Sequence, residues 1–237
     1  MRPSARTVLV TGSTSGIGRA ITERLLKDGH TVIGLGRDHT KFQPESVNYH
    51  PYTVDLADLD RVAEALAPIL TTHAEISGVV SNAGQGHFGG MEEFSCAQIR
   101  SAIDLNLTSH AMIARLTLPL LKKHPNSDLI LMGSGSAVRG GKHGALYCAA
   151  KFGLRGMAQS LRIESAKRGV RVALVNPGAV RTEFFSELKF RPAAEDDNAI
   201  LPEDIADTVA FILGSRAKTV WDEVNLSPLK PVWDFRE

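Results

Sequence analysis

The stretch TVLVTGSTSGIGRAITERLLKDG, residues 7–29, passes from an apolar run through a glycine-rich turn into an amphipathic segment. The apolar start predicts a short buried strand, and the segment from Gly16 predicts a helix that ends at Gly29. Gly12 and Gly16 allow a tight turn that brings backbone N–H groups close to a ligand, and Gly18 lets the helix pack against the sheet. Because a helix N-terminus favours negative charge, the pattern predicts a pyrophosphate site. The alternative is a glycine-rich turn without a ligand.

The alternation of strand and helix continues through the rest of the chain. Helical sequence lies between the strands, with Asp58 as the N-cap of one helix and Pro202 at the start of another. The later predicted strands are TVIGLG from Thr31, a run that ends at Asp55, ISGVVS from Ile76, DLILMG from Asp128, GVRVALVNP from Gly169 and TVWDEVNL from Thr219. Because strands that alternate with helices form parallel sheets, we predict an α/β fold with one doubly wound, seven-stranded parallel sheet and helices on both faces.

Composition and charge exclude several classes of protein. The chain has 237 residues, 43% of them apolar, and no internal repeat, which fits one domain with a sizeable core. With 27 basic and 26 acidic side chains, no basic stripe indicates a nucleic acid or a membrane surface. No apolar run approaches the roughly 18 residues of a membrane span, and residues 1–12 contain no signal-peptide core. We expect a cytoplasmic protein without a nucleic-acid or membrane partner.

The cysteines and histidines indicate neither a disulfide framework nor a metal site. Cys96 and Cys148 form no CxxC pair, which fits a reducing compartment. Cys148 follows Tyr147, but on a helix its side chain points about 100° away, so a buried thiol is the better interpretation. The eight histidines are scattered and form no HExxH motif, so no metal is predicted.

A second informative stretch is GSGSAVRGGKHGALYCAAK, residues 133–151. It follows an apolar strand and continues into helical sequence, so Tyr147 and Lys151 share one helical face. The phenol has a reference pKa of about 10, and a neighbouring ammonium favours the phenolate and lowers that pKa. Ser134 lies at the strand end and can face this helix. The three side chains indicate proton transfer, although a packed Tyr followed by a surface Lys has the same spacing.

The end of the second strand is where a dinucleotide-binding fold contacts the adenosine ribose. Gly36 stands there without a carboxylate, and Arg37 follows with a cation that suits a 2′-phosphate. Ser15 can add a neutral hydrogen bond from the glycine-rich turn. Asp38 supports the alternative, which is a ribose hydroxyl, and a surface Arg at the start of a loop is a further alternative. We predict NADP(H) in preference to NAD(H).

Two further segments carry small or polar residues at informative places. Asn82, Ala83 and Gly84 follow the fourth strand, where a cofactor can pass close to the backbone. Residues 95–124 form long helical sequence with Asn106 in its interior. Asn is a mediocre helix former with a hydrogen-bonding side chain, so it either interrupts the helix or is a tolerated polar residue.

The motifs stand in a recognisable order and spacing. They are Thr11-Gly-Ser-Thr-Ser-Gly-Ile-Gly18, Asp55-Leu56, Asn82-Ala-Gly84, Asn106, Ser134, Tyr147 with Lys151, and Asn176-Pro-Gly178 with Thr182. From about Thr7 to Leu226, the chain resembles the short-chain dehydrogenase/reductases. The resemblance implies a Rossmann fold over residues 1–237, with a cofactor half at about 1–125 and a catalytic and substrate half at about 126–237.

The resemblance also implies a reaction and its catalytic residues. In that family hydride moves between NADP(H) or NAD(H) and a carbonyl or secondary alcohol. The Tyr exchanges the proton at the substrate oxygen, and the Ser holds that oxygen. The Lys binds the nicotinamide ribose and lowers the pKa of the Tyr, and the Asn supports a water relay. These roles transfer to Tyr147, Ser134, Lys151 and Asn106.

Further roles that the resemblance implies concern the cofactor. Asp55 resembles the residue that contacts adenine, Asn82 the residue that stabilises the central strand, and Thr182 the residue that contacts the nicotinamide carboxamide. The complete set of predicted cofactor-binding residues is Gly12, Ser13, Thr14, Ser15, Gly16, Ile17, Gly18, Arg37, Asp55, Leu56, Asn82, Ala83, Gly84, Tyr147, Lys151, Pro177, Gly178, Val180 and Thr182.

The chain departs from the family pattern in two places. GSGS replaces the commoner Ser-Ser ending of the fifth strand, although Ser134 still lies thirteen residues before Tyr147. Residues 225–237 replace the usual glycine-rich segment that often reaches a neighbouring subunit. The family implies a homo-oligomer, either a dimer or a tetramer, and residues 96–124 and 147–168 are the expected contact surfaces.

Three segments are expected to select a small-molecule carbonyl or alcohol substrate, and they are residues 85–90, 137–146 and 181–200. Phe184, Phe185 and Phe190 form either an apolar lid or part of a surface loop with buried aromatic rings. Arg139 and His143 either bind a substrate carboxylate or are solvated.

Other functions on the same fold are a catalytically silent NADP-binding regulator, an NAD-dependent hydroxy-acid or alcohol dehydrogenase, and a lyase or epimerase. The complete set of Ser, Tyr, Lys and Asn argues against the silent regulator. The length of the substrate region argues against the lyase or epimerase.

Overall fold

Seven parallel strands form the central sheet of the computed structural model, which describes residues 5–236. The strands in that range are β1 (Thr7–Thr11), β2 (Thr31–Gly36), β3 (Tyr49–Thr53), β4 (Ile76–Ser81), β5 (Ser127–Met132), β6 (Val170–Pro177), β7 (Phe190–Pro192), β8 (Glu223–Leu226) and β9 (Trp233–Phe235). The sheet has the order β3-β2-β1-β4-β5-β6-β8, so the strand order reverses between β1 and β4. Ligands of such sheets bind beyond the carboxyl ends of the strands at that reversal.

Helices cover both faces of the sheet, which confirms the predicted doubly wound fold. They are α1 (Gly16–Lys27), α2 (Leu59–Thr72), α3 (Cys96–Ile103), α4 (Ser109–Leu121), α5 (Ala145–Ala166) and α6 (Pro202–Gly214). One core holds side chains of α1 and α6, and the other holds side chains of α2, α4 and α5. Among the described residues, no helix is both long and apolar enough to cross a membrane.

Strand β1 shows why the sequence gives two cores. Val8 and Val10 pack on the side of α1 and α6, whereas Leu9 between them packs on the opposite side. Successive side chains of a strand point to opposite faces, so a strand that is covered on both faces needs an unbroken apolar run. All three side chains are fully buried.

The predicted long helix around Asn106 is interrupted. Residues 104–108 form a π-helical segment between α3 and α4. The Asn106 side-chain amide donates to the Ala102 carbonyl oxygen at 3.0 Å, four residues earlier, and so takes an acceptor that a regular helix would give to a backbone N–H group. Of the two interpretations of Asn106, interruption is the one that the structure shows.

A small antiparallel sheet was not predicted from the sequence. It pairs β7 with β9, and Phe190 lies opposite Phe235 while Pro192 lies opposite Trp233. Each strand has three residues, which is too short for a periodic pattern, and a proline ends β7. The pairing joins the segment after β6 to the C-terminal part of the chain.

A buried ion cluster lies at the amino ends of interior strands of the main sheet. Asp128 at the start of β5 is 1% exposed. One of its carboxylate oxygens lies 2.7 Å from Arg6 Nη1, and the other lies 2.8 Å from Arg171 Nε. The cluster joins the amino ends of β5 and β6 to the residue before β1.

The Asp128→Ala substitution should destabilise the protein by about 3–5 kcal/mol, because it leaves two largely buried guanidinium groups without their carboxylate. Urea unfolding followed by circular dichroism measures the change. The control is Asp222→Ala, which removes the partner of Arg162 in an exposed ion pair and should cost less than about 1 kcal/mol. Equal losses in the two variants would contradict this account of the cluster.

Candidate active site

The glycine-rich turn leaves β1 at the reversal of strand order. Gly12 and Gly16 have φ values of 67° and 49°, which side chains with a Cβ rarely adopt. A Cβ at Gly18 would overlap the Gly12 carbonyl oxygen, so the glycine at this position allows α1 to approach the turn. Thr182 lies next to the turn: a Cβ at Gly16 would be 3.4 Å from Thr182 Cγ2.

The hydroxyl groups of the turn point in different directions. Ser13 is fully buried; its hydroxyl donates to the Leu35 carbonyl oxygen at 3.3 Å and lies 3.2 Å from the Tyr49 hydroxyl. The Ser13 side chain therefore holds the turn against β2. Ser15 is exposed and immediately precedes α1, and Thr14 is partly exposed. Ile17 lies in the first turn of α1 and is partly buried.

The ends of β1 and β4 are joined by Thr11. Its hydroxyl accepts the backbone N–H groups of Asn82 and Ala83 at 2.8 and 2.9 Å, and the Asn82 side-chain amide donates to the Thr11 carbonyl oxygen at 3.0 Å. Asn82, Ala83 and Gly84 thereby follow the edge of the sheet beside the glycine-rich turn. This arrangement places their backbone along the crevice in which the sequence predicts a cofactor.

Arg37 and Asp38 follow β2, and hydrogen bonds hold the Asp38 side chain in place. The Asp38 carboxylate accepts hydrogen bonds from the Thr40 N–H group at 2.9 Å and the Thr40 hydroxyl at 2.6 Å. These two bonds lower the pKa of Asp38. Arg37 is exposed, and Gly36 is buried against the glycine-rich turn, since a Cβ there would lie 2.8 Å from Thr14 Cγ2.

The segment after β3 carries Asp55, which the sequence predicts as an adenine contact. Asp55 is exposed, and its carboxylate accepts the Ala57 N–H group at 3.0 Å. Leu56 is buried in the core between the sheet and α2. Leu56 therefore anchors the segment through its side chain, while Asp55 stays at the surface.

Tyr147 and Lys151 lie one turn apart on α5, and both are buried. Lys151 Nζ donates to the Met132 carbonyl oxygen at 2.9 Å and lies 5.7 Å from the centre of the Tyr147 ring. Burial disfavours the ammonium form and lowers the pKa of Lys151 to about 8. The predicted pair is therefore in place.

The pKa of Tyr147 differs from the sequence-based expectation. Burial raises the pKa of Tyr147 to about 12, and an interaction with the Ser134 hydroxyl opposes this rise. We expected Lys151 to lower this pKa, but in this structure desolvation of the phenol outweighs every favourable contact. Phe88 and Phe184 cover the ring, with centres 5.1 and 6.0 Å from that of Tyr147.

Ser134 lies at the end of β5, as predicted, and faces Tyr147. Its hydroxyl accepts the Ser136 N–H group at 3.1 Å and caps a short 3₁₀ turn. Its own N–H group donates to the Asn176 side-chain oxygen at 3.2 Å. The Asn176 amide in turn donates to Glu223 at 3.0 Å and Asn225 at 2.9 Å.

Asn176 was missed as a positioning residue. Within the Asn-Pro-Gly motif, only Pro177 and Gly178 were predicted as site positions. The signal that could have indicated Asn176 is a polar residue at the end of an apolar strand, because buried polar groups need hydrogen-bond partners.

Pro177 ends β6, and the Gly178 N–H group donates to the Leu226 carbonyl oxygen at 2.8 Å. Val180 is buried and forms a bridge with Ile200.

Asn106 is buried beneath the loop that follows β4. Its side-chain oxygen accepts the Gln85 N–H group at 3.1 Å, and its amide donates to the Gln85 carbonyl oxygen at 3.0 Å. A Cβ at Gly84 would lie 2.9 Å from Asn106 Oδ1 and 3.7 Å from Lys151 Nζ. Gly84 therefore adjoins both Asn106 and Lys151.

The structure thus brings Asn106, Ser134, Tyr147 and Lys151 to one region beside the glycine-rich turn. Arg139 and His143 are both exposed in the loop before α5. Cys148 is buried, as predicted, and Cys96 is exposed. In residues 5–236, no group of three or more His, Cys, Asp or Glu side chains is arranged to hold a metal ion.

Proteins of one family resemble this chain over most of its length. A family model described as short chain dehydrogenase matches residues 6–192. The chain belongs to the short-chain dehydrogenase family. It is an oxidoreductase of the NAD(P)-dependent class.

Two relatives and two solved structures illustrate the similarity. The sepiapterin reductase of Chlorobaculum tepidum is 26% identical over 235 residues, which cover 93% of this chain and 95% of the relative. The NADPH-dependent pterin aldehyde reductase of Arabidopsis thaliana is 32% identical over 190 residues, or 77% of this chain and 78% of the relative. An alcohol dehydrogenase of Thermococcus sibiricus in complex with 5-hydroxy-NADP has a TM-score of 0.84 at 25% identity, covering 95% and 97% of the two chains. A putative NAD(P)-dependent gluconate 5-dehydrogenase of Beutenbergia cavernae with bound NADP has a TM-score of 0.83 at 26% identity, covering 94% and 96%.

The Tyr147→Phe substitution should lower kcat by at least about 10², because it keeps the ring and removes the proton that the reaction needs. A spectrophotometric assay of NADPH consumption measures kcat, and fluorescence titration should show unchanged NADPH affinity. Tyr52→Phe is the matched control. Tyr52 lies in the edge strand β3, and its hydroxyl contacts His73. Near-normal turnover by the Tyr147 variant would disprove the catalytic role.

Proposed function

We propose that the protein reduces a carbonyl compound with NADPH, with Tyr147 as the general acid. The observation that carries the proposal is the convergence of Ser134, Tyr147 and Lys151 beside the glycine-rich turn. Bound NADPH would supply the hydride. The remaining chemistry belongs to the chain itself, and each of the three side chains has a distinct part in it.

Tyr147 donates its phenolic proton to the substrate oxygen as negative charge develops there. Ser134 adds a second hydrogen bond to that oxygen from the end of β5. Lys151 holds its ammonium one helical turn away from the phenol, where its charge stabilises the phenolate once the proton has left. Asn106 keeps the loop at Gln85 and Gly84 close to Lys151.

The buried phenol favours the reductive direction. Burial raises the pKa of Tyr147 to about 12, so the phenol carries its proton at neutral pH, and a general acid needs that proton before the reaction. Alcohol oxidation needs a phenolate at the start, which burial opposes. The protonated phenol therefore supports carbonyl reduction as the proposed direction.

The proposed preference for NADP(H) is supported by the end of β2. The glycine-rich turn and the helix N-terminus suit the pyrophosphate, and Arg37 is available for the 2′-phosphate. The Asp38 carboxylate, which was the argument for a ribose hydroxyl, already accepts two hydrogen bonds from Thr40. The name of the Arabidopsis relative includes NADPH, and NADP is bound in the Beutenbergia structure.

A homo-oligomer remains part of the proposal. The exposed side chains Phe152 and Ile163 lie on α5, within the surface that the sequence predicts as a contact. Apolar side chains on one exposed helix support association of this surface with a second copy. Light scattering at micromolar concentration tests it, and a monomer would contradict it.

The Arg37→Ala substitution should weaken NADPH binding at least about tenfold, because it removes a charge-assisted hydrogen bond to the 2′-phosphate. NADH binding should change little. Fluorescence titration with each cofactor measures both dissociation constants, and Arg61→Ala on α2 is the control for loss of an exposed guanidinium. Equal weakening of the two cofactors would show that Arg37 does not contact the 2′-phosphate.

The reduction rate should fall as pH rises through about 8. The pKa of Lys151 is lowered to about 8 by burial, so its stabilising positive charge is present below that pH and is lost above it. A pH profile of kcat/KM measures the midpoint. The Lys151→Met variant should be slow at every pH and should lack this transition. The same midpoint in that variant would assign the titration to another group.

A further inference from the structure

Aromatic rings enclose the proposed catalytic phenol. Tyr147 is 6% exposed. The Phe88 ring, from the loop after β4, lies 5.1 Å from the Tyr147 ring centre, and the Phe184 ring, from the segment after β6, lies 6.0 Å from it. Both pairs are tilted and fall within the range of favourable aromatic contacts.

A second layer of rings supports the first. The Phe190 ring stands edge-on to Phe88 at 5.0 Å, and Trp233 stands edge-on to Phe190 at 5.3 Å. We call Phe88, Phe184, Phe190 and Trp233 the aromatic wall. Its members come from three separate parts of the chain, so tertiary structure alone brings them together.

Polar contacts hold the C-terminal segment in this position. The Ala193 N–H group donates to the Val232 carbonyl oxygen at 3.0 Å, and the Arg236 N–H group donates to the Lys189 carbonyl oxygen at 2.7 Å. Lys230 Nζ lies 2.8 Å from the Asp197 carboxylate. These contacts flank β7 and β9 and keep Trp233 against Phe190.

The location of the aromatic wall determines which side chains contact the group attached to the substrate's carbonyl carbon. A carbonyl oxygen that accepts the Tyr147 proton lies beside the phenol, so the group attached to the carbonyl carbon extends to the place where Phe88 and Phe184 now contact Tyr147. The side chains of the wall carry no formal charge. They offer ring faces and edges, which pair best with another flat ring.

We propose that the aromatic wall is the substrate subsite and that it selects aldehydes and ketones with an aromatic or heteroaromatic ring on the reacting carbon. This inference rests on the proposed carbonyl reduction and specifies its substrate class. The substrate ring replaces Tyr147 as a packing partner of Phe88 and Phe184. Trp233 packs against Phe190 and so supports the wall from outside.

A pair of substrates with similar shape isolates the effect of the ring. Acetophenone and cyclohexyl methyl ketone place a methyl ketone on a flat and on a saturated six-membered ring, respectively. We expect kcat/KM with NADPH to be at least about fivefold higher for acetophenone. Isothermal titration of the NADP⁺-loaded protein with each ketone should show the same preference in Kd, and this measurement needs no turnover.

Two variants test which rings produce the preference. Phe184→Leu and Trp233→Leu remove a ring and keep an apolar side chain, and each should reduce the preference at least about threefold, mainly through KM for acetophenone. The matched controls are Phe211→Leu and Trp221→Leu. The rings of Phe211 and Trp221 are tilted against each other elsewhere on the surface, with centres 4.9 Å apart, and Trp221 is 38% exposed against 37% for Trp233. Neither control should change the preference.

The outcomes separate this inference from the proposed function. Reduction of both ketones with equal kcat/KM and equal Kd would overturn the aromatic preference and leave carbonyl reduction intact. An aromatic preference in Kd without NADPH consumption would support the subsite and contradict the reductase. A preference that survives Phe184→Leu and Trp233→Leu would overturn the assignment to the aromatic wall.

Discussion

A buried ammonium group needs a hydrogen-bond acceptor, and for Lys151 that acceptor is the Met132 carbonyl oxygen at the end of β5. This bond ties α5 to the strand that carries Ser134. Because Tyr147 lies one turn from Lys151 on the same helix, the bond also fixes the height of the phenol relative to the Ser134 hydroxyl. The relative positions of the three proposed catalytic side chains therefore depend on the hydrogen bond between the Lys151 ammonium and the Met132 carbonyl oxygen.

The same burial acts in opposite directions on the two titrating groups. Desolvation disfavours the charged form of each, so it lowers the pKa of Lys151 and raises that of Tyr147. The phenol becomes a firmly protonated acid, while the ammonium becomes easier to deprotonate. The aromatic rings that enclose Tyr147 thus contribute to the proton chemistry as well as to the shape of the site.

The parts of the structure that local pattern determines were predicted from the sequence. The glycine-rich turn, the seven-stranded sheet and the positions of Ser134, Tyr147 and Lys151 follow from apolar runs, glycine spacing and helical periodicity. Spacing shows the neighbouring Lys151 but not the burial of the phenol, and this burial raises the pKa of Tyr147 above its ordinary value. The pairing of β7 with β9 was missed for a related reason. It joins residues distant in the chain, and three residues are too few to show a period.

The π-helical segment at Asn106 also sets the rotation of α4 about its own axis. A π-helical turn holds one more residue than an α-helical turn, and each residue of an α-helix turns the chain by about 100°, so the same residues wound as a regular α-helix would turn the face of α4 that carries Ile113 and Leu121 away from the sheet. Mutations that made this helix regular would therefore unpack the core at the same time as they moved Asn106. Selection for a well-packed core would preserve the irregular turn even in a descendant that no longer needed its chemistry.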